Sequence, residues 1–345
     1  MTAVSGHGPW PGRERDELEA QQTVLGDLAG LPTGVAAVPF LTQLTGRGPG
    51  ADALGRTAAL LEELPVELGP HGWKLADHPG LDERRAEVFL REDLGALALA
   101  AHGYAGPLAL EVVGPWTLAA TLWSARGDRV LGDAGARRDL TLALAEGVRA
   151  HVAAVREQVP GVQPSDVVVQ LAEPQLGAIH AGVLPTFSGY SRLRSVPGPD
   201  LVEGLRPVID AVHDAGARAV VHLGGTWAGL PPVVLAGADA VGLDVGAIGW
   251  QESAWELVAR AAEKGVGLWA GLPPAQVSQC AGPMLGELVR LVAEPWRRVG
   301  LAASGLDGVT LLAAPRMRLA SSDEHRAELA NLGRVGEALA ERAAA

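Results

Sequence analysis

His222, Asp244 and Glu173 are side chains whose type and setting could move a proton or hold a metal ion. His222 ends the run Val-Val-His-Leu-Gly-Gly, Asp244 ends Val-Gly-Leu-Asp-Val, and Glu173 stands in Gln-Leu-Ala-Glu-Pro beside Gln170. A histidine can ligate a metal or carry a proton, and a carboxylate can ligate or act as a base. Each has a plainer role as well. His222 could be a hydrogen-bonded histidine, Asp244 a helix cap, and Glu173 a carboxylate meeting a helix dipole just before Pro174. Arg316 and Arg318 could hold a carboxylate or a phosphate. The pair Gly224-Gly225 could let backbone approach an anion. Trp10, Trp116 and Trp123 offer wide faces for a flat ligand, and nine Trp against three Phe and two Tyr make tryptophan the dominant aromatic. Cys280 is the single cysteine, so neither an intrachain disulfide nor a thiolate-rich zinc or iron–sulfur site can be built. Its expected role is packing. No Ser-His-Asp signature, phosphate loop or His-Glu-x-x-His helix is present.

Such groups act together only if strands end together. Short β-type runs read as Ala3–Ser5, Val66–Leu68, Leu108–Val113, Val167–Leu171, Ala219–Leu223, Ala240–Asp244, Val266–Ala270 and Val309–Leu312. Several are almost wholly apolar, as parallel strands covered on both faces should be. Helical periodicity fills the gaps at Leu81–Ala101, Ala136–Gln158, Asp200–Ala215, Glu252–Lys264, Pro283–Val299 and Glu324–Arg342. Gly216, Gly237 and Gly265 follow helical runs where a left-handed cap belongs. This alternation predicts an α/β chain, a (β/α)8 TIM barrel forming one domain over residues 1–345. A doubly wound open sheet is the alternative; no dinucleotide fingerprint supports it. Residues Gly6 to Gly55, with one weak helix near Arg15–Leu28, read as a long N-terminal loop over the barrel mouth. In a barrel the reacting groups sit at the C-terminal strand ends. That rule gathers Gln170 and Glu173, His222, Asp244 and Arg316, with Trp10 after strand one and Trp116 and Trp123 after strand three.

Of the 345 residues, 48% are hydrophobic and 20% charged, enough for a sizeable core. The net charge of −12 argues against nucleic acid or an anionic membrane as partner, leaving a small molecule. The most apolar stretch, Leu94 to Leu110, is broken by His102, Gly103, Gly106 and Pro107, so it is no membrane span. With no leader-like N-terminus, a cytoplasmic location is expected.

The segment Gly114–Asp128, GPWTLAATLWSARGD, resembles the Gly-Pro-x-Thr…Trp-Ser…Arg-x-Asp motif of the C-terminal catalytic barrel of cobalamin-independent methionine synthase. Uroporphyrinogen decarboxylase, in the same superfamily, carries a similar Gly-Pro-Phe-Thr-Leu-Ala run. Gly8-Pro9-Trp10-Pro11-Gly12 resembles the first-strand Gly-Ser-(Phe/Trp)-Pro, and Leu171-Ala172-Glu173-Pro174 resembles Asp-Glu-Pro. His222 matches the His of His-x-Cys, and Asp244 the next acidic position. The chain looks like a single-barrel homologue of actinobacterial type. The resemblance implies methyl transfer from a folate to homocysteine, held as thiolate on zinc by His, Cys, Glu and Cys. Carried over by position, His222 and Asp244 are metal residues. Gly224 and Met317 stand where the cysteines would be. Ala172 replaces the Asp that holds the amino acid, Pro9 the first-motif Ser, and Ala270 the proton-donating His. The expectation is therefore a methionine-synthase-like barrel with an incomplete zinc site, weak or absent zinc and no full methionine synthesis. Two other readings stand beside it. One is a non-catalytic relative that binds a small ligand or a partner chain. The other is a decarboxylase-type barrel using arginines such as Arg13 and Arg15, with Asp16, for its substrate.

Overall fold

Strand β1 is two residues long, Ala3–Val4, and pairs in parallel on both sides, with β2 (Ala36–Ala37) and β8 (Val309–Ala313). In the computed structural model, which describes residues 1–12, 16–316 and 320–345, the other sheet strands are β3 (Leu108–Val113), β4 (Val167–Ala172), β5 (Arg218–His222), β6 (Ala240–Asp244) and β7 (Gly267–Leu272). The sheet runs β2-β1-β8-β7-β6-β5-β4-β3, with every neighbouring pair parallel. It curls, as a TIM-like barrel does. Beyond β2 the chain reaches the other edge. Ala109 N–H donates to Pro39 C=O at 2.7 Å, and Leu41 N–H donates to Ala109 C=O at 3.0 Å. Met317, Arg318, Arg13 and Arg15 lie outside the described residues.

Runs such as Val167–Leu171, apolar but for Gln170, are buried along their whole length, because helices cover the sheet. The main helices are α1 (Glu17–Ala29), α2 (Leu81–Ala100), the short α3 (Pro115–Thr121), α4 (Ala134–Gln158), α5 (Gly198–Asp214), the short α6 (Leu230–Ala236), α7 (Glu252–Glu263), α8 (Pro283–Arg298) and α9 (Ser322–Ala344). Their inner stripes follow the helical repeat: α5 buries Leu201, Leu205, Val208, Ile209 and Val212. At the start of α9, Ser321 Oγ accepts from Glu324 N–H, and Glu324 accepts from Ser321 N–H. A capping side chain of this kind is worth about 1 kcal/mol. Gly216, Gly237 and Gly265 have φ of 77°, 96° and 84°, the left-handed caps expected of them.

Two expectations need correction. Residues 6–55 are not one long loop. Besides the expected helix, α1, they contain the second sheet strand, Ala36–Ala37. The stretch after β1 lies against Phe40 and Gln43, and Pro9–Trp10 pairs in parallel with Gln43–Leu44. Val66–Leu68 is a strand, but it pairs antiparallel with Gly72–Leu75 in a separate hairpin, outside the main sheet. Its alternating pattern was that of a two-stranded surface hairpin.

Candidate functional site

The C-terminal strand ends bring His222 and Asp244 together. Gly242 on β6 is the register partner of His222 on β5, and Gly271 on β7 is the partner of Asp244. Both glycines make room. A Cβ on Gly242 would stand 2.1 Å from His222 Cδ2, and one on Gly271 would stand 2.5 Å from Asp244 Oδ1. His222 Nε2 lies 3.7 Å from Asp244 Oδ1, beyond hydrogen-bond length. Both atoms are buried without a partner. Burial pushes the His222 pKa well below the ordinary value, helped by His7 beside it, so the ring is neutral. Burial pushes Asp244 up to about 6, against a smaller pull from His7. Asp244 occupies the N-cap position of a short helix but makes no side-chain cap bond, so the capping role is not realised.

His7 and Glu111 complete this cluster, and sequence reasoning missed both. After β1 the chain turns through Gly6-His7-Gly8. A Cβ on Gly6 would meet the Phe40 ring at 2.5 Å, and one on Gly8 would meet Gln43 at 2.4 Å. Only a chain this thin can lay His7 on the strand ends. Glu111 and Gln170 are register partners on β3 and β4. Glu111 Oε2 accepts from His7 Nδ1 at 2.8 Å, Gln170 Nε2 at 2.8 Å and Gly8 N–H at 3.2 Å. Burial raises the Glu111 pKa, but His7 and these donors outweigh it and leave the carboxyl below its ordinary value. The His7 ring stands edge-on to His222, with centroids 4.9 Å apart. His7 Nε2 and Gln170 Oε1 are buried without partners, as are the His222 and Asp244 atoms. Buried polar atoms are nearly always paired, so such a group of exceptions marks a place built for something other than stability. The glycines flanking His7, directly after an apolar strand, were the available sequence signal.

Glu173 serves a different purpose. One oxygen accepts from Trp116 N–H at 2.8 Å, and the other from Thr117 N–H and Thr117 Oγ1, each at 2.7 Å. It binds the first turn of α3, where backbone N–H groups lack helical partners. Desolvation pushes its pKa up to about 7, although these three donors pull it down. Gly114 allows the approach, since a Cβ there would stand 2.4 Å from Glu173 Oε1. This is the physical content of the Gly-Pro pair in the Gly114–Asp128 segment.

The three tryptophans separate. Trp10 is buried and stacks on His325, with centroids 4.9 Å apart. It lines a cavity of about 110 Å³ together with His7, Phe40, Glu111, Arg316 and Glu328. Arg316 is bonded to Glu328, which also accepts from Ser278 Oγ at 2.6 Å. Trp116 instead points into the helical layer, where its indole N–H donates to Leu201 C=O at 3.0 Å and its ring packs on Gly204. Trp123 sits in a surface aromatic group. Its indole N–H donates to His71 C=O, Phe187 stands edge-on at 5.6 Å, and Arg129 lies 5.3 Å from its ring centroid. Cys280 is buried, as expected of a packing residue.

The residues present do not fit zinc. Gly224 N–H donates to His222 Nδ1 at 3.2 Å. That bond assigns the ring proton to Nε2, the nitrogen facing Asp244. A ligand histidine has the opposite arrangement, with its second nitrogen donating to an acceptor and its lone pair on the metal. Gly224 has no side chain, and its φ of +64° is one that L side chains rarely adopt. Among the described residues no group of three or more His, Cys, Asp or Glu could hold a metal ion.

These features define a class: a parallel α/β chain whose strand ends carry a buried histidine–carboxylate cluster. No family model and no curated protein matches the chain. Among solved structures it is similar to a B12-independent methionine synthase from a Shewanella species, in complex with selenomethionine. The TM-score is 0.59 at 14% identity, over 99% of this chain and 97% of that one. A methylaspartate ammonia lyase from Citrobacter amalonaticus aligns at TM-score 0.41 with 12% identity, over 97% of this chain and 59% of that one, too distant to inform the site. The likeness to the methionine synthase shows a methionine-synthase-like barrel fold. Among the described residues no helix is long and apolar enough to cross a membrane.

Proposed function

We propose that this chain is a methionine-synthase-like barrel that takes a small molecule at the C-terminal mouth of its sheet and does not itself form methionine. The bridge between Phe40 and Ala109 is read as the seam that closes the barrel. The observation that carries the proposal is the state of His222. It stands at the expected metal position, yet its neighbour Gly224 supplies a backbone donor where a thiolate ligand would be needed. One histidine and one aspartate cannot hold trace zinc, because affinity in such sites comes from several deprotonated ligands acting together. Ala172 offers no carboxylate for a substrate ammonium, and Ala270 no proton. Elemental analysis of the purified protein should find far less than one zinc per chain, and a homocysteine assay with methyl-tetrahydrofolate should yield no methionine. One tightly bound zinc together with methionine formation would overturn this reading.

A folate remains the flat ligand that the resemblance suggests, and Trp123 is the partly exposed tryptophan it could stack on. Stacking on an aromatic is worth about 0.5–1.5 kcal/mol beyond area burial. If a folate binds there, it should quench tryptophan fluorescence at millimolar concentration, and Trp123→Ala should remove the quench. The decarboxylase reading finds no support at Arg316, whose guanidinium is held by Glu328.

A further inference from the structure

We propose that His7, held by Glu111, is a proton-accepting residue, and that the molecule it serves is a neutral, largely apolar compound bearing one O–H or S–H group in the cavity beside Trp10. The assignment rests on the reading above, that a small molecule is bound at this mouth without zinc. Three features of the cavity carry it.

The first is the set of the His7 ring. Nδ1 donates to a carboxylate that two further donors, Gln170 Nε2 and Gly8 N–H, hold in place. A carboxylate so placed fixes the tautomer and orientation of an imidazole and stabilises the imidazolium that forms on protonation. In the neutral ring the lone pair is then on Nε2, which is buried and unpartnered. His222, edge-on at 4.9 Å, presents the opposite tautomer, its Nδ1 accepting from Gly224 N–H. The mouth thus offers an acceptor nitrogen and a donor nitrogen side by side. When a substrate O–H or S–H bond breaks, the new N–H bond forms at His7 Nε2. The electron pair stays on oxygen or sulfur, and Glu111 balances the positive ring.

The second feature is charge. Arg316 lines the cavity together with Glu111 and Glu328, but it is bonded to Glu328, as Glu111 is to His7. An arriving carboxylate or phosphate would meet no free guanidinium. The third is size and surface. The cavity of about 110 Å³ has Trp10, Phe40, Leu329 and Leu332 in its wall. An apolar cavity of about 150 Å³ accepts benzene and this one is smaller, so one small ring is the upper limit of the ligand. An amino acid such as homocysteine, with two charged groups, does not suit this wall.

The test compares four probes on the full chain by ligand-observed NMR and tryptophan fluorescence: phenol, toluene, benzoate and homocysteine. Phenol should bind at least tenfold more tightly than toluene, which lacks the proton, and at least tenfold more tightly than benzoate or homocysteine. His7→Leu should keep toluene binding and bring phenol to within threefold of it. Glu111→Gln should weaken phenol more than toluene. Leu329→Phe, which fills the cavity, should abolish both, with circular dichroism confirming that each variant is folded. No phenol binding at 10 mM, equal binding of phenol and toluene, benzoate or homocysteine binding as well as phenol, or an unchanged phenol preference in His7→Leu would each overturn the assignment. Zinc content and methionine formation are read on the same preparation. Their appearance removes the reading above, whereas a failure of phenol alone removes only the role given to His7.

Discussion

Glu173→Ala should destabilise the fold by about 3–5 kcal/mol, measured by urea unfolding. It would leave the Trp116 and Thr117 amides and the Thr117 hydroxyl without an acceptor in a fully buried place. Each buried orphan donor costs about 1–3 kcal/mol. Glu173→Gln should lose less, because the amide oxygen still accepts from part of the set. Gly114→Ala should also destabilise, since its Cβ would displace the Glu173 carboxyl. An unchanged urea midpoint in Glu173→Ala would remove the structural account.

Asp244→Asn should stabilise the protein at pH 8 and not at pH 4. In the unfolded chain the carboxyl ionises near its ordinary value, but burial holds the folded one up to about 6. Between those values the folded state keeps a proton that the unfolded state has lost, so stability falls as pH rises through that window. Above it the cost amounts to about 3 kcal/mol. Asparagine carries no charge to desolvate, so the difference between variant and parent should grow as pH rises and level off above pH 6. His222 acts in the opposite direction. Its folded pKa is depressed, so its contribution is present above the ordinary histidine value and is lost as pH falls below it. The two are separated by comparing the variant with its parent at each pH, because His222 is present in both. A difference that stays flat from pH 4 to pH 8 would mean that Asp244 is paired in solution.

Seven of the eight sheet strands could be read from the sequence because each carries a run whose burial needs no distant information. Val167–Leu171 is apolar at every position but Gln170, and a strand covered on both faces is mostly so. Helices α2, α4, α5, α7, α8 and α9 were legible for a similar reason, their apolar spacing being local, whereas the seven-residue α3 and α6 are too short to show a period. Strand β2 was not. Ala36–Ala37 is a strand because β1 offers it a hydrogen-bonding edge, and two alanines carry no pattern of their own. Val66–Leu68 had a pattern, but a pattern cannot say which partner the strand will take.

The same division runs through the site. Residue type and strand position were enough to place His222 and Asp244 at the mouth, since a strand ends where its run ends. That they lie 3.7 Å apart depends on the register of β5, β6 and β7 and on two glycines in neighbouring strands. His7 and Glu111 are separated by 104 positions, and neither stands in a motif. What joins them is the curl of the sheet, which carries the turn after β1 over the end of β3. Trp10, Trp116 and Trp123 looked alike as wide apolar rings. Tertiary packing sent one into the cavity, one into the helical layer and one to the surface, because each ring goes where its indole N–H finds a carbonyl or its faces find partners. The sequence alone determined which chemistry is missing, because an absent thiolate or carboxylate needs no coordinates to be seen. The chemistry that remains was decided by contacts between residues far apart in the chain, and a tautomer such as that of His222 is set by the one backbone N–H that the fold brings to it.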